Sequence, residues 1–272
     1  MLMSKKNTFI FFLIFLIFLV GDVFFEVNFI KLNKIEIATK KINLGEQVNI
    51  IQISDLHNKI FFNNNAELYE KIKDSQPDFI VITGDFIDKN TKDYTYAYNV
   101  IDELLKINQN IYFVAGDHEQ KNTRNILIGL ADRGVKILDK SQTLYKKNNQ
   151  SINLYGLDYY NDSEDIEFIK HISQQDFSIL LLHNPDLAIN NKEIRADLIL
   201  SGDTHGGQIR LPFLGAITVP GQGFLPKYSK GLYFMPNDSF LYIDSGLGNT
   251  LLPIRFLNQS QVSLIQIKGI GE

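Results

Sequence analysis

The chain has 272 residues, 44% of them hydrophobic, enough to bury the core of one large α/β domain or two small ones. Its formal net charge of −4 is spread over both signs without a basic stripe, which argues against a nucleic-acid surface. Cysteine is absent, so disulfides, thiolate metal ligands and a catalytic thiol are excluded, and any metal must be held by His, Asp, Glu or Asn.

The N-terminal stretch differs from the rest. Lys5 and Lys6 precede twelve unbroken apolar residues, Phe9 to Val20. A full span of about 20 residues carries the segment past Asp22 towards Val27. A cleavable signal peptide fits the length of the run, but no Ala-x-Ala-like site follows, and Gly21 is the only small residue near the right place. The flanks favour a retained signal-anchor helix over about residues 8–27, within an anchor segment 1–30, in a single-pass cell-membrane protein. Lys5 and Lys6 put the N-terminus in the cytoplasm and the remaining domain outside, an orientation against which Lys31 and Lys34 count. Residues 31–47 read as a connector and 48–272 as one globular domain, expected as a monomer.

From Val48 the pattern becomes regular. "VNIIQISDLH" predicts a strand ending in polar residues, and "NNAELYEKIKDSQ" a helix ended by Pro77. "DFIVITGDFID" is a second strand, "KDYTYAYNVIDELLKI" a helix, and "NIYFVAGDHEQ" a third strand with a helix near Thr123 to Asp132. This βαβαβα order implies an α/β fold with parallel strands flanked by helices. The second half is richer in strands: "SINLYGLDYY", "FSILLLHNPD", "ADLILSGDTH", "SFLYIDSGLG" and "QVSLIQIKG". Short helices are expected near Glu164 to Ser173 and Pro185 to Asn191. The Gly- and Pro-rich stretch from Pro212 to Pro236 is long for a compact domain and predicts a lid or rim.

Five strand ends share a habit, an apolar run terminating in Asp or His. They are Asp55-Leu56-His57, Gly84-Asp85-Phe86-Ile87-Asp88, Gly116-Asp117-His118-Glu119, His183-Asn184 and Gly202-Asp203-Thr204-His205. In an α/β sheet such ends gather at the carboxyl edge, where ligands bind. Carboxylates collected there without a counter-charge would be strongly unfavourable. Metal cations resolve this, and His with Asp suits Zn, Mn or Fe. Glycine before three of these aspartates lets the chain turn sharply and approach closely. Singly, each residue has an ordinary explanation: a strand-end Asp caps or turns, Asp88 and Glu119 are supporting groups, His171 lies on a helix surface, and Ser54 and Ser201 are turn residues. The joint pattern points to metal, because four of the five histidines fall inside the motifs.

D-x-H, G-D-x-x-D, G-[N/D]-H-E, a later His and G-x-x-H-G-G-Q, in this order, resemble the calcineurin-like metallophosphoesterase superfamily. "IIQISDLH", "LLLHNPD", "THGGQIRLP" and "SGLGNTLLPIRF" are similar to its membrane-anchored YkuE/YaeI-like phosphodiesterase branch, over roughly Val48 to Ile267. The resemblance implies a four-layer α/β/β/α sandwich and phosphoester hydrolysis by a metal-activated hydroxide. It implies a first metal held by Asp55, His57, Asp85 and His205, and a second by Asp85, Asp117, His183 and Asp203, with Asp85 bridging. His118 would face the scissile phosphate as proton donor or oxyanion stabiliser, oriented by Asp88 or Glu119. Two divalent cations follow, Mn²⁺ first, with Zn²⁺, Fe or Mg²⁺ as alternatives. The anchor adds lipid-linked or cell-envelope phosphoesters as substrates, and the resemblance implies phosphodiesters of the UDP-diacylglucosamine kind.

Two positions depart from the family pattern. Asp117 stands where the motif has Asn, and Asp203 where it has His. Both belong to the second metal, and the added carboxylates turn a net positive centre into a net negative one. That change raises the pKa of a bridging water, weakens attraction for phosphate and favours harder ions such as Mn²⁺, Mg²⁺ or Ca²⁺ over Zn²⁺. Asp203, shorter than His, either reaches its metal through water or leaves one aspartate protonated. The alternative function is a metal-impaired relative that binds a phosphorylated ligand or partner without turnover; the intact first-metal residues and His118 favour the hydrolase. "GQGFLPKYSKGLYFMP" is a candidate substrate groove, with Lys227 and Lys230 either meeting phosphate or solvated in the loop. Arg255 is expected in a structural salt bridge ahead of a substrate contact.

Overall fold

The computed structural model describes residues 5–119, 124–159, 163–219, 221–249 and 253–271. Helix α1 (Lys5–Asn28) leads into strands β1 (Lys31–Thr39) and β2 (Gln47–Ile53), then α2 (Phe62–Asp74), β3 (Phe79–Thr83), α3 (Thr95–Ile107), β4 (Ile111–Val114), α4 (Arg124–Asp132) and β5 (Lys136–Ile137). The second half runs β6 (Ser141–Lys147), β7 (Gln150–Gly156), α5 (Ser163–Lys170), β8 (Phe177–Leu181), α6 (Asp186–Asn190) and β9 (Leu198–Ser201). Two small hairpins follow, β10 (Arg210–Leu211) with β11 (Gly215–Ala216) and β12 (Thr218–Val219) with β13 (Gly223–Phe224). The chain closes with β14 (Gly231–Phe234), β15 (Phe240–Ile243) and β16 (Gln261–Gly269).

The strands form two six-stranded sheets, ordered β1-β16-β2-β3-β4-β5 and β14-β15-β9-β8-β7-β6. Period-2 alternation of apolar residues decides which layers they join. In β2, Ile51 and Ile53 face α2, α3 and α4, packing with Leu68, Leu104 and Ile126. Val48 and Ile50 face the other sheet, in the core of Phe79, Val81, Leu154, Ile179 and Leu200. The outer face of the second sheet, with Leu180, Ile199 and Leu241, packs on Ile169 of α5 and Leu187 of α6. The result is a four-layer α/β/β/α sandwich. Parallel pairing of β2 with β3, β3 with β4, and β8 with β9 brings their carboxyl ends to one edge.

Residues 31–39, expected within a connector, instead form β1, paired in parallel with β16 along all nine residues. Lys31, Lys34 and Glu36 make the segment read as a linker, but such charges suit an edge strand that must not recruit another chain. The stretch expected as a lid or rim contains β11, β12, β13 and β14, the last of them the edge of the second sheet.

Helix α1 is long and apolar enough to cross a membrane. Its 24 residues extend about 36 Å, against a hydrocarbon core of about 30 Å. Only Val27 is buried, because the last turn docks on the domain. The Ser260 N–H donates to the Glu26 carbonyl at 2.8 Å, and the Lys31 N–H to the Ser260 carbonyl at 2.8 Å. The Lys59 ammonium reaches the Val27 carbonyl, the Leu247 carbonyl at 3.2 Å and the Ser260 hydroxyl at 3.1 Å.

Candidate metal centre

Each of the five motifs begins within two residues of a strand end, and the two sheets meet beneath them. Gln52, at the end of β2, donates to Thr83 Oγ1 at 3.0 Å and to the Ser201 carbonyl at 2.9 Å, joining β2 and β3 to β9. The Gly202 N–H donates to the His183 carbonyl at 3.0 Å, and the Asp203 N–H to Asp55 Oδ1 at 3.1 Å. The crossing is tight. A Cβ on Gly84, whose φ of +83° is left-handed, would lie 2.5 Å from His183 Nδ1 and 2.7 Å from the Gly116 nitrogen; a Cβ on Gly116 would overlap Asp85. Asp55, His57, Asp85, Asp203 and His205 are themselves left-handed, with φ between 48° and 69°. Strained backbone at five clustered polar residues is a mark of a functional site.

All eight residues expected at the centre come together. Asp55, His57 and His205 form one group of donor atoms able to share an ion, and Asp117, His183 and Asp203 another. Asp85 lies between them. Its Oδ2 is 3.5 Å from His57 Nε2 and its Oδ1 is 3.4 Å from His183 Nε2, so each carboxylate oxygen faces one group. His183 Nε2 also faces Asp117 Oδ1 at 3.6 Å and Asp203 Oδ1 at 3.7 Å, yet this buried nitrogen has no hydrogen-bond partner among the described residues. His205 Nε2 is 3.5 Å from Asp55 Oδ1 and 3.2 Å from His57 Nε2.

The tautomers follow from the partners. His183 Nδ1 meets the Thr83 carbonyl at 2.8 Å, and His57 Nδ1 meets Asp88 Oδ1 at 3.1 Å. A carbonyl and a carboxylate only accept, so both rings carry a proton on Nδ1, which leaves Nε2, facing the cluster, as the atom that would hold a cation on losing its proton. Among the described residues, the ion pairs of Asp55, Asp85, Asp117 and Asp203 are all with histidine. Carboxylates converging on imidazole Nε2 atoms, with no lysine or arginine bridging them among the described residues, fit divalent cations. Oxygen and nitrogen donors of this kind suit Mn²⁺, Fe or Zn²⁺.

Electrostatics reflect the crowding. Burial pushes Asp55 up to about 7 and Asp203 up to about 6. Burial acts on Asp85 in the same sense, but His183, His57 and His118 around it hold it well below the usual carboxylate range. For His183 burial is outweighed by Asp85, Asp117 and Asp203, which hold it well above the usual imidazole value; burial and the neighbouring His57 drive His205 well below it.

The supporting groups divide differently from expectation. Asp88 orients His57 as described and lies 3.8 Å from His118 Nδ1, which accepts the Lys89 N–H at 3.2 Å. Glu119 does not orient the His118 ring. Its buried carboxylate accepts backbone N–H bonds from Asp85 at 2.9 Å, Phe86 at 2.7 Å, Ile87 at 3.1 Å and Gly116 at 2.7 Å, clamping two motif loops together. Burial pushes that carboxyl up to about 7. His118 sits at the solvent edge, its Nε2 3.9 Å from Asp85 Oδ2 and 4.0 Å from Asp117 Oδ2.

Other expectations need correction. Arg255 is fully buried and makes no salt bridge among the described residues. It donates to the carbonyls of Ser245 at 2.7 Å, Gly248 at 2.6 Å and Asn258 at 3.2 Å, and to Asn249 Oδ1 at 3.2 Å. The loop it staples braces the centre, since the Leu247 and Gly248 N–H groups donate to the Ser54 and Asp55 carbonyls at 3.0 and 2.6 Å. Ser54 and Ser201 are buried strand-end residues, and the Ser54 hydroxyl bonds Asp55 Oδ2. Lys227 is exposed over the Tyr228 ring; Lys230 bonds Asn258 Oδ1 at 3.1 Å, and burial pushes it down to about 8. His171 lies on the surface as expected, its Nδ1 2.8 Å from the Glu167 carbonyl. Sequence reasoning missed Asn258, whose amide holds the His205 carbonyl at 2.7 Å; its only signal was its place just after "LPIRF".

A four-layer sandwich carrying Asp and His clusters at the meeting edge of its sheets defines a class, the metallophosphoesterases. Residues 48–207 match the family described as calcineurin-like phosphoesterase. The chain is similar to the metallophosphoesterase YkuE of Bacillus subtilis (strain 168), 34% identical over 229 residues that cover 81% of this chain and 79% of that one. It is also similar to YkoQ of the same organism, 28% identical over 246 residues, 88% of this chain and 90% of that one. Among solved structures, the NAD nucleotidase of Haemophilus influenzae shares the fold, with a TM-score of 0.50 and 16% identity over 75% of this chain and 45% of that one. The chain belongs to the calcineurin-like phosphoesterase family, whose members depend on two metal ions, and is a phosphoric ester hydrolase.

Proposed function

We propose that the chain hydrolyses a phosphodiester or phosphomonoester with two divalent cations, one held by Asp55, His57, Asp85 and His205 and the other by Asp85, Asp117, His183 and Asp203. The observation that carries this reading is Asp85, each of whose oxygens faces a different donor group. Bound there, the ions supply Lewis acidity towards a phosphoryl oxygen and a hydroxide nucleophile near neutral pH. The protein's own residues do the rest. His57 and His183 are held in the tautomer that presents Nε2. His118 accepts the Lys89 N–H on Nδ1, so its proton sits on Nε2, free to stabilise a phosphoryl oxygen or protonate the leaving group. The added carboxylates of Asp117 and Asp203 favour Mn²⁺ over Zn²⁺ at the second position.

The apolar α1 supports a single-pass membrane anchor, and Lys5 and Lys6 support an extracytoplasmic catalytic domain. That location supports lipid-linked or cell-envelope phosphoesters, such as UDP-diacylglucosamine-like compounds, as substrates.

The test uses the full chain in detergent, with bound metal and hydrolysis of a chromogenic phosphodiester and phosphomonoester measured together. Turnover is expected to be stimulated by Mn²⁺, abolished by a chelator and reduced about 10²-fold or more in His118→Ala. Binding of a phosphorylated ligand without turnover under any metal contradicts the reading. Asp203→His is expected to raise zinc affinity, measured by competition with a fluorescent chelator. Unchanged affinity would remove Asp203 from the second metal.

A further inference from the structure

Exposed apolar residues that hydrolysis does not use lead away from the point where α1 enters the domain. On one side, Phe62 packs on Phe24 and Phe29, with ring centroids 6.5 and 5.7 Å apart, yet stays half exposed. On the other, Ser260 and Gln259 bond the end of α1, and the segment just before them exposes Ile254 and Leu257. That segment pairs with the start of the hairpins: the Phe256 N–H donates to the Gln208 carbonyl and the Arg210 N–H to the Phe256 carbonyl, both at 3.0 Å. The pairing continues outward, from the Ile217 N–H to the Ile209 carbonyl at 3.1 Å and from the Leu225 N–H to the Ile217 carbonyl at 2.9 Å. The hairpin rim is therefore continuous with the exit of the apolar helix.

The tips of this rim are unsuited to water. Phe213 is fully exposed and Phe224 is 75% exposed. Three of its apolar residues, Phe213 (φ 67°), Leu225 (φ 52°) and Leu257 (φ 50°), also hold left-handed backbone, where glycine or asparagine is the ordinary choice. Large exposed side chains in strained positions, carried on segments joined by backbone hydrogen bonds, mark an interaction surface. The candidate metal centre adjoins it: the turn His205–Gly207 runs directly into Gln208 and β10, and Asn258 bonds the His205 carbonyl while Leu257 joins the rim.

We propose that this rim seats in the interfacial layer of the bilayer that α1 crosses, holding the metal centre at the membrane surface where it meets phosphoesters carried by lipids. The docking rests on α1 being a membrane anchor, and the substrate class on the hydrolytic reading. The last turn of α1 is bonded to the domain, and a second apolar contact with the bilayer beside it fixes the tilt of the domain on the membrane. Aromatic and aliphatic loop tips beside a spanning helix have the chemistry of interfacial seating.

The chain contains no tryptophan, so single tryptophans report on their own surroundings. Phe213→Trp, Phe224→Trp, Phe15→Trp and Leu44→Trp are made in the full chain and reconstituted into phosphatidylcholine vesicles with brominated acyl chains. Phe15 reports on α1. Leu44 is 76% exposed and lies beyond the far end of β1, whose nine residues extend about 30 Å from the helix exit. The proposal expects blue-shifted emission and at least twofold quenching by bromolipid for Phe15→Trp, Phe213→Trp and Phe224→Trp, and neither for Leu44→Trp. Quenching at position 15 with none at 213 and 224 overturns the docking and leaves the anchor standing. No quenching at 15 removes the anchor and the docking with it. A blue shift at 213 and 224 without bromolipid quenching assigns the face to a protein partner or a second copy, and overturns the bilayer. None of these outcomes depends on turnover, so a failure of the hydrolytic reading is seen separately.

Discussion

Asp85→Asn is expected to lower kcat/KM by about 10³-fold or more, and to leave at most one ion bound per chain. Asparagine preserves the shape and one accepting oxygen, so the backbone N–H of His118 that now donates to Asp85 Oδ1 at 3.1 Å keeps a partner. The other position becomes an NH₂ group, which cannot bind a cation, so one of the two donor groups loses its share of the bridge. The metal-free protein is expected to lose some stability as well, because the charge removed is the one that His57, His118 and His183 surround and favour, which outweighs the relief of repulsion from the neighbouring carboxylates. Three measurements separate the outcomes: metal per chain, turnover at saturating Mn²⁺, and the thermal midpoint without metal. Two bound ions and near-normal turnover would contradict the bridging role.

Arg255→Met is expected to destabilise the protein by about 3–5 kcal/mol. The guanidinium is fully buried, and burial lowers it to about 10, so it remains charged at neutral pH. Its donors satisfy the carbonyls of Ser245, Gly248 and Asn258, which methionine would leave unpaired in the interior. The loop concerned presses Gly246 against Asp55 and bonds the Ser54 and Asp55 carbonyls, so the same change should loosen Asp55 and weaken metal binding. Arg255→Lys keeps the charge but replaces a planar fork with a single ammonium, and should fall between the two. Chemical denaturation of the full chain in detergent reads the effect. A loss below about 1 kcal/mol would show that the staple carries little of the fold.

Much of this site is legible in the order of the amino acids, for a physical reason. Donor groups that converge in space here sit at strand ends, and a strand end is marked locally by an apolar run meeting Gly and Asp, as in "VITGDFID" and "LILSGDTH". The strands that escape such a reading share a different property. β1 and β5 are the edges of one sheet, and β14 and β6 the edges of the other. β1 carries three charges, β6 ends in Lys146-Lys147, and β5 has only two residues, so none shows the apolar run of a central strand. The supporting chemistry is equally hidden. Arg255 acts through carbonyls of its own loop, Asn258 through that of the distant His205, and Glu119 through four backbone N–H groups, none of which side-chain identity announces.

Anomalous diffraction from crystals of the chain grown with Mn²⁺ shows whether the Asp and His cluster holds a pair of cations. Two peaks are expected about 3.5–4 Å apart on either side of Asp85, one coordinated by Asp55, His57 and His205 and the other by Asp117, His183 and Asp203. No peak at Asp85, or manganese bound only elsewhere on the chain, would contradict that pairing.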